Sequence, residues 1–179
     1  MELNKNIESV IKEDLKSVSK IKIEAWRNKA LDNHEYFDTA LKIGLTNEKP
    51  YCWRCAWIIF KASEKKPELL NPYITRIINS LENFRFDSQI GGFLKTLTYA
   101  VEIDEELLGL LTNYCIKIIY DTQRPSHNKY YAIQLLLKIA KKFPDLSREF
   151  TLVIEENLPY YERPYLKRFA RNAIKNLSQ

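Results

Sequence analysis

The stretch Arg54–Leu81, RCAWIIFKASEKKPELLNPYITRIINSL, decides the fold. Apolar residues recur at helical spacing on both sides of Lys66-Pro67-Glu68-Leu69, which predicts a helix, a proline-marked turn and a second helix. The same shape returns at Tyr130–Leu158, YYAIQLLLKIAKKFPDLSREFTLVIEENL. An offset of 77 places Pro67 on Pro144, Leu69 on Leu146, Tyr73 on Phe150, Ile77 on Ile154 and Leu81 on Leu158. Half that offset is about 38, the length of one helical-hairpin repeat.

Working outward, a shift of about 38 from the first copy carries Leu69, Leu70, Tyr73 and Ile77 onto Leu107, Leu108, Leu111 and Cys115, all apolar. Glu105 replaces the turn proline there, so the proline is not essential to the hairpin. Ser88 and Asp104 are expected to cap the two helices of this middle copy, and Asn71 the second helix of the first. The β-prone segment Ile116–Tyr120 stays within the helical period. The same shift carries Ala132, Leu136 and Ile139 onto Ala170, Ile174 and Leu177, a last helix without a partner that suits a terminal cap. Ahead of the repeats, apolar residues at 3, 7, 10, 11 and 15 predict one helix, Ile21–Leu31 a second and His34–Leu45 a third, with either Asp32 or Asn33 as its candidate cap. The expected organisation is one domain over 1–179. It has irregular N-terminal helices over 1–50, hairpins over 51–86, 88–121 and 127–158, and a capping helix over 162–177. The fold class is all-α: a short right-handed α-solenoid of about nine helices.

Composition excludes several classes. The chain is 45% hydrophobic and 28% charged, which fits a packed soluble protein and not a disordered one. Four glycines are too few for the tight turns of an all-β chain. No apolar run approaches a membrane span, and the first sixteen residues carry acids among bases with no apolar h-region, unlike a signal peptide. Three cysteines, an odd number, argue against a disulfide framework and for a reducing, cytoplasmic setting. The net charge of +5 is uneven: residues 124–179 hold 11 Lys/Arg against 5 Asp/Glu.

Trp53-Arg54-Cys55-Ala56-Trp57, Phe143-Pro144-Asp145-Leu146 and the basic end Arg168–Leu177 resemble HEAT-like α-helical repeat proteins, over about residues 35–177. They are closest to a family of small bacterial HEAT-like proteins, some of which carry an automated adenylosuccinate lyase label. The Ser-rich, Gly-containing catalytic loop of that lyase superfamily is absent here. The resemblance implies a scaffold of stacked hairpins and no particular activity. HEAT-like helices also build glycosylases that recognise alkylated bases, but no Trp/Asp motif of that class is legible.

Each residue that could carry chemistry also has a packing role open to it. Cys52-Trp53-Arg54-Cys55 is a C-x-x-C at a helix start, where a thiolate gains from the helix dipole. No βαβ context accompanies it, and Cys115, His34 and His127 do not pair with it at zinc-ligand spacing. Cys55 overlays Ala132 and Cys115 overlays Ile77, so core packing accounts for both. Gly91-Gly92 is no phosphate loop; two adjacent helical glycines suggest a looser joint between repeats. No catalytic residue, metal or cofactor is expected, and no membrane contact.

The expectation is therefore a non-enzymatic scaffold that holds a protein partner. In HEAT-like stacks the second helices tend to line the concave surface, which nominates Arg76, Asn79, Asn83, Asn113 and Lys117. The alternative is nucleic-acid binding through Lys138, Lys141, Lys142, Lys167, Arg168, Arg171 and Lys175, with Tyr160, Tyr161 and Tyr165 interleaved as stacking side chains. The competing account makes Tyr165, Phe169 and Ala173 core residues and the charges a solvated face.

Overall fold

The structure is a computed structural model that describes the backbone of residues 2–178 and the side chains of residues 6–178. These residues form ten α-helices, where about nine were expected, joined by four short 3-10 segments and without a strand. Contacts divide the chain into two compact units, Met1–Glu102 and Ile103–Gln179.

The first unit contains α1 (Glu2–Asp14), α2 (Lys20–Asp32), α3 (His34–Gly44), α4 (Tyr51–Lys65), α5 (Ile74–Ser80) and α6 (Asp87–Thr98). Helix α4, which opens the quoted stretch, is its centre and packs against α2, α3 and α6. It is suited to this because Cys52, Cys55, Ala56, Ile58, Ile59, Ala62 and Ser63 are all buried, and small residues among them allow neighbours close. One such approach is at Gly92 of α6: a Cβ built there would lie 3.0 Å from Ala56 Cβ. Gly92 therefore marks a tight contact, which corrects the expected loose joint there.

Two helix ends in this unit are finished by side chains from later helices. The Arg54 guanidinium donates from Nη1 to the Leu15 and Lys16 carbonyls at the end of α1, the second at 2.9 Å. From α6, buried Gln89 donates to the Gly44 and Thr46 carbonyls at 2.8 and 2.6 Å, closing the end of α3. Carbonyls left over at a helix C-terminus need such donors when water is excluded. Of the two candidate caps, Asn33 caps α3, its side chain accepting from the Glu35 amide at 2.8 Å.

The second unit contains α7 (Glu105–Tyr120), α8 (Ser126–Lys142), α9 (Ser147–Asn157) and α10 (Pro164–Leu177). Helix α8 packs on α7 and α10, and α9 packs on the same two. Ile116–Tyr120 is helical within α7.

The repeat register is visible in burial. Tyr73, Leu111 and Phe150 are buried, as are Ile77, Cys115 and Ile154. The expected hairpin over 88–121 contributes α6 to the first unit and α7 to the second.

Several local expectations are corrected. Asn71 does not cap a helix: Pro67–Tyr73 is a 3-10 segment and α5 starts at Ile74. Pro72 lacks the N–H that would support an α-helical turn across it. Helix α6 starts at Asp87, before Ser88, and Asp104 stands at the N-cap of α7 without a side-chain capping bond. Along α1 and the residue after it the buried stripe is Ile7, Ile11 and Leu15, whereas Val10 is 48% exposed. The Leu3 side chain lies outside the described residues.

Candidate functional site

The basic residues nominated from sequence lie on α8 and α10, which pack together. Helix α10 buries Leu166, Ala170 and Ala173, which recur at helical spacing and turn Arg168, Arg171 and Lys175 to solvent. Lys167 is half-buried beside them. On α8, Lys141 and Lys142 are exposed, and Lys142 lies 3.8 Å from Glu105. Lys138 is different: it is half-buried, and loss of water lowers its pKa. The set therefore contains exposed cations on both helices and one Lys drawn into the protein.

The aromatic residues among them divide. Tyr160 is 65% exposed and Tyr165 43%, whereas Tyr161 is only 2% exposed and is no free stacking platform. Phe169 is half-buried against Tyr130, ring centroids 4.2 Å apart. The core positions of α10 are thus Leu166, Ala170 and Ala173, and of the expected core residues only Ala173 is buried. Charge also reads differently once the units are known. Residues 103–179 carry 12 Lys/Arg and 9 Asp/Glu, against 16 and 14 in residues 1–102. The acids Asp104, Glu105, Glu106 and Asp121 belong to the same compact unit as the basic end and offset much of its excess.

Sequence reasoning missed a cavity of about 380 Å³ where α8 and α10 begin. Lys129, Tyr161, Arg124 and Arg163 are among its lining residues. Lys129 is 4% exposed, and its Nζ stands 5.8 Å from the Tyr161 ring centroid. A signal was present in the repeat register. Lys129 falls on Cys52 and Tyr161 on Phe84 at the offset of 77, both buried positions of the first copy. A Lys and a Tyr hydroxyl at apolar core positions are out of place unless something partners them.

The three cysteines are free and buried. Burial pushes the thiol pKa up at Cys52, Cys55 and Cys115, the reverse of what a reactive thiolate needs. His34 accepts or donates at Nε2 with Tyr73 Oη, 2.8 Å away, in the first unit. His127 lines the cavity in the second.

The nominated partner surface is exposed throughout. Arg76 and Asn79 lie on α5, Asn83 in the 3-10 segment Leu81–Asn83 that follows it, and Asn113 and Lys117 on α7. The opposite side of α7 is buried through Leu107, Leu108, Leu111, Cys115, Ile118 and Ile119.

Comparison with known families gives a match to the HEAT repeat domain over residues 11–177. The chain belongs to the HEAT repeat family. No curated protein and no solved structure matches it. HEAT repeats generally mediate protein–protein interaction and are typically non-enzymatic scaffolds. In this HEAT repeat protein, no helix among the described residues is long and apolar enough to cross a membrane.

Proposed function

We propose that the protein is a non-enzymatic scaffold that binds a protein partner through the second helices of its repeats, with both units acting as one domain. Family membership over residues 11–177 supports this reading. The observation that carries it is the division of labour on α7, where apolar residues fill the core and Asn113 and Lys117 are left facing water. Arg76, Asn79 and Asn83 offer the same kind of polar, hydrogen-bonding surface in the first unit. Three buried, unpaired thiols suit a cytoplasmic setting.

The test is affinity purification from the native host with the wild type and two surface variants, Arg76→Glu/Asn79→Ala/Asn83→Ala and Asn113→Ala/Lys117→Glu. A partner that co-purifies stoichiometrically with the wild type and is lost from either variant, with circular dichroism unchanged, supports the reading. Retention of that partner by both variants sinks the assigned surface.

A second reading, nucleic-acid binding, is favoured by Arg168, Arg171 and Lys175, which share the solvent face of α10. Fluorescence polarisation with single-stranded and duplex oligonucleotides tests it. Triple charge reversal at Lys167, Arg168 and Arg171 must abolish the signal and flatten its salt dependence; binding unaltered by reversal removes the idea.

A further inference from the structure

The cavity at the starts of α8 and α10 plays no part in protein-partner binding through α5 and α7, and its chemistry is of another kind. We propose that it binds a dianionic phosphate, either inorganic phosphate or the phosphoryl group of a small phosphate monoester.

Two long helices begin at this cavity, and neither has a side-chain cap. The N-cap of α8 is Pro125 and that of α10 is Arg163. Among the described residues the amides of Asn128 and Lys129 bond to the Pro125 carbonyl, and those of Leu166 and Lys167 to the Arg163 carbonyl. The amides of Ser126, His127 and Tyr165 find no acceptor among the described residues, and all three residues line the cavity. Unfilled N–H groups at helix starts favour an anion, through hydrogen bonding and the helix dipole together.

Helix starts alone would not make a site. The second, independent observation is Tyr161 with Lys129, two largely buried lining residues whose polar ends make no hydrogen bond among the described residues, the Lys129 Nζ meeting the Tyr161 ring 5.8 Å from its centroid. Tyr161 Oη is buried and makes no hydrogen bond. Burial raises its pKa, so it is a phenol, able to donate, across the neutral range. Lys129 makes no hydrogen bond or ion pair among the described residues, although it is 96% buried by area. Desolvation lowers its pKa, while the charges of Asp121 and Glu162 act the other way. The Lys129 side chain is largely desolvated, and an anion seated beside its ammonium offsets that cost.

The surrounding charges agree in sign. Arg124, Lys129 and Arg163 line the cavity against one acid, the exposed Glu162. Arg124 is held by Asp121, with Nε to Oδ2 at 3.0 Å, which leaves Lys129 and Arg163 as the cations available to a ligand. The volume of about 380 Å³ exceeds what one phosphate needs and falls in the range of small-molecule sites. Exposed Tyr160 and Tyr165 border the same cavity, whose volume leaves space for the organic part of a small, polar monoester.

Titration calorimetry and ³¹P NMR on the full chain test the proposal, with inorganic phosphate, glycerol 3-phosphate and glycerol as probes at constant ionic strength in chloride. Saturable binding of either phosphate probe, with none by glycerol, is the expected result. Tighter binding of glycerol 3-phosphate assigns the site to phosphorylated metabolites, and tighter binding of phosphate to the free ion. Lys129→Met should weaken affinity by about tenfold or more, Tyr161→Phe and Arg163→Gln by roughly threefold to tenfold each. The Met side chain matches the apolar character of the equivalent Cys52 position, so this variant should fold and lose the phosphate-induced rise in Tm. Exposed Arg163→Gln gives a check independent of core packing. No saturable binding of either probe, or unchanged affinity in both Lys129→Met and Arg163→Gln, overturns the proposal.

Discussion

Gly92 on α6 faces Ala56 on α4 so closely that a Cβ on the glycine would sit 3.0 Å from the Ala56 Cβ. That separation is shorter than side-chain carbons normally tolerate, and the rigid partner is a short alanine that cannot swing aside. Gly109, in contrast, has nothing within 4 Å of the same added atom and lies exposed on α7. Gly92→Val should therefore destabilise the protein by about 1–3 kcal/mol through overpacking. Gly109→Ala should stabilise it by about 0.5–1 kcal/mol by removing backbone freedom from the unfolded chain and raising helix propensity. Urea denaturation of the two variants measures both signs; a neutral Gly92→Val would mean that α4 and α6 do not meet as described.

Arg54 holds the end of α1 through the Leu15 and Lys16 carbonyls. Its removal should cost roughly 1.5–3 kcal/mol, typical of hydrogen bonds made by a charged donor. The effect should be local: amide hydrogen exchange in α1 should accelerate in Arg54→Ala while α4 keeps most of its protection. Uniform acceleration over both helices would instead point to global destabilisation.

Asp14 accepts from Trp26 Nε1 at 2.6 Å and lies 3.2 Å from Lys22 Nζ. The Trp26 bond is the main cause that lowers its pKa below the ordinary value of 3.8. A depressed folded-state pKa contributes stability above pH 3.8 that is lost as pH falls through the lower folded value. Asp14→Ala should accordingly be less stable than wild type at pH 7, with the gap narrowing near pH 2.5. Denaturation midpoints at the two pH values test this; a gap that widens in acid would contradict the assignment.

The buried thiols yield a kinetic prediction. Cys52, Cys55 and Cys115 all have pKa values raised by burial, so an aromatic disulfide reagent should leave them unmodified in the native protein at pH 8. Labelling should follow the unfolding rate as denaturant is added. Rapid reaction of Cys52 or Cys55 without denaturant would reopen the C-x-x-C as a chemical motif.

Helical period, hairpin turns and the repeat of about 38 residues were legible in the chain because each rests on local spacing or on self-comparison. Tyr73, Leu111 and Phe150 could be assigned to the core by overlay alone, and they are buried. Helix starts were less legible. A capping residue announces itself only if its side chain turns back to the amides, and Asn33 does so whereas Asp104 does not. The role of Arg54 was hidden for a different reason: its acceptors lie 39 and 38 residues away, in a helix end outside the repeat pattern.

The amino-acid sequence by itself determined an all-α HEAT repeat fold, its register and which residues are apolar core, since these follow from periodicities of a few residues. Tertiary structure alone decided what the polar exceptions do. It set Gly92 against Ala56, carried Arg54 to the end of α1, and buried Lys129 and Tyr161 at the start of two helices. The physical reason is that burial without a partner is a property of surroundings, and a lysine reads as solvent-facing until neighbouring helices close around it.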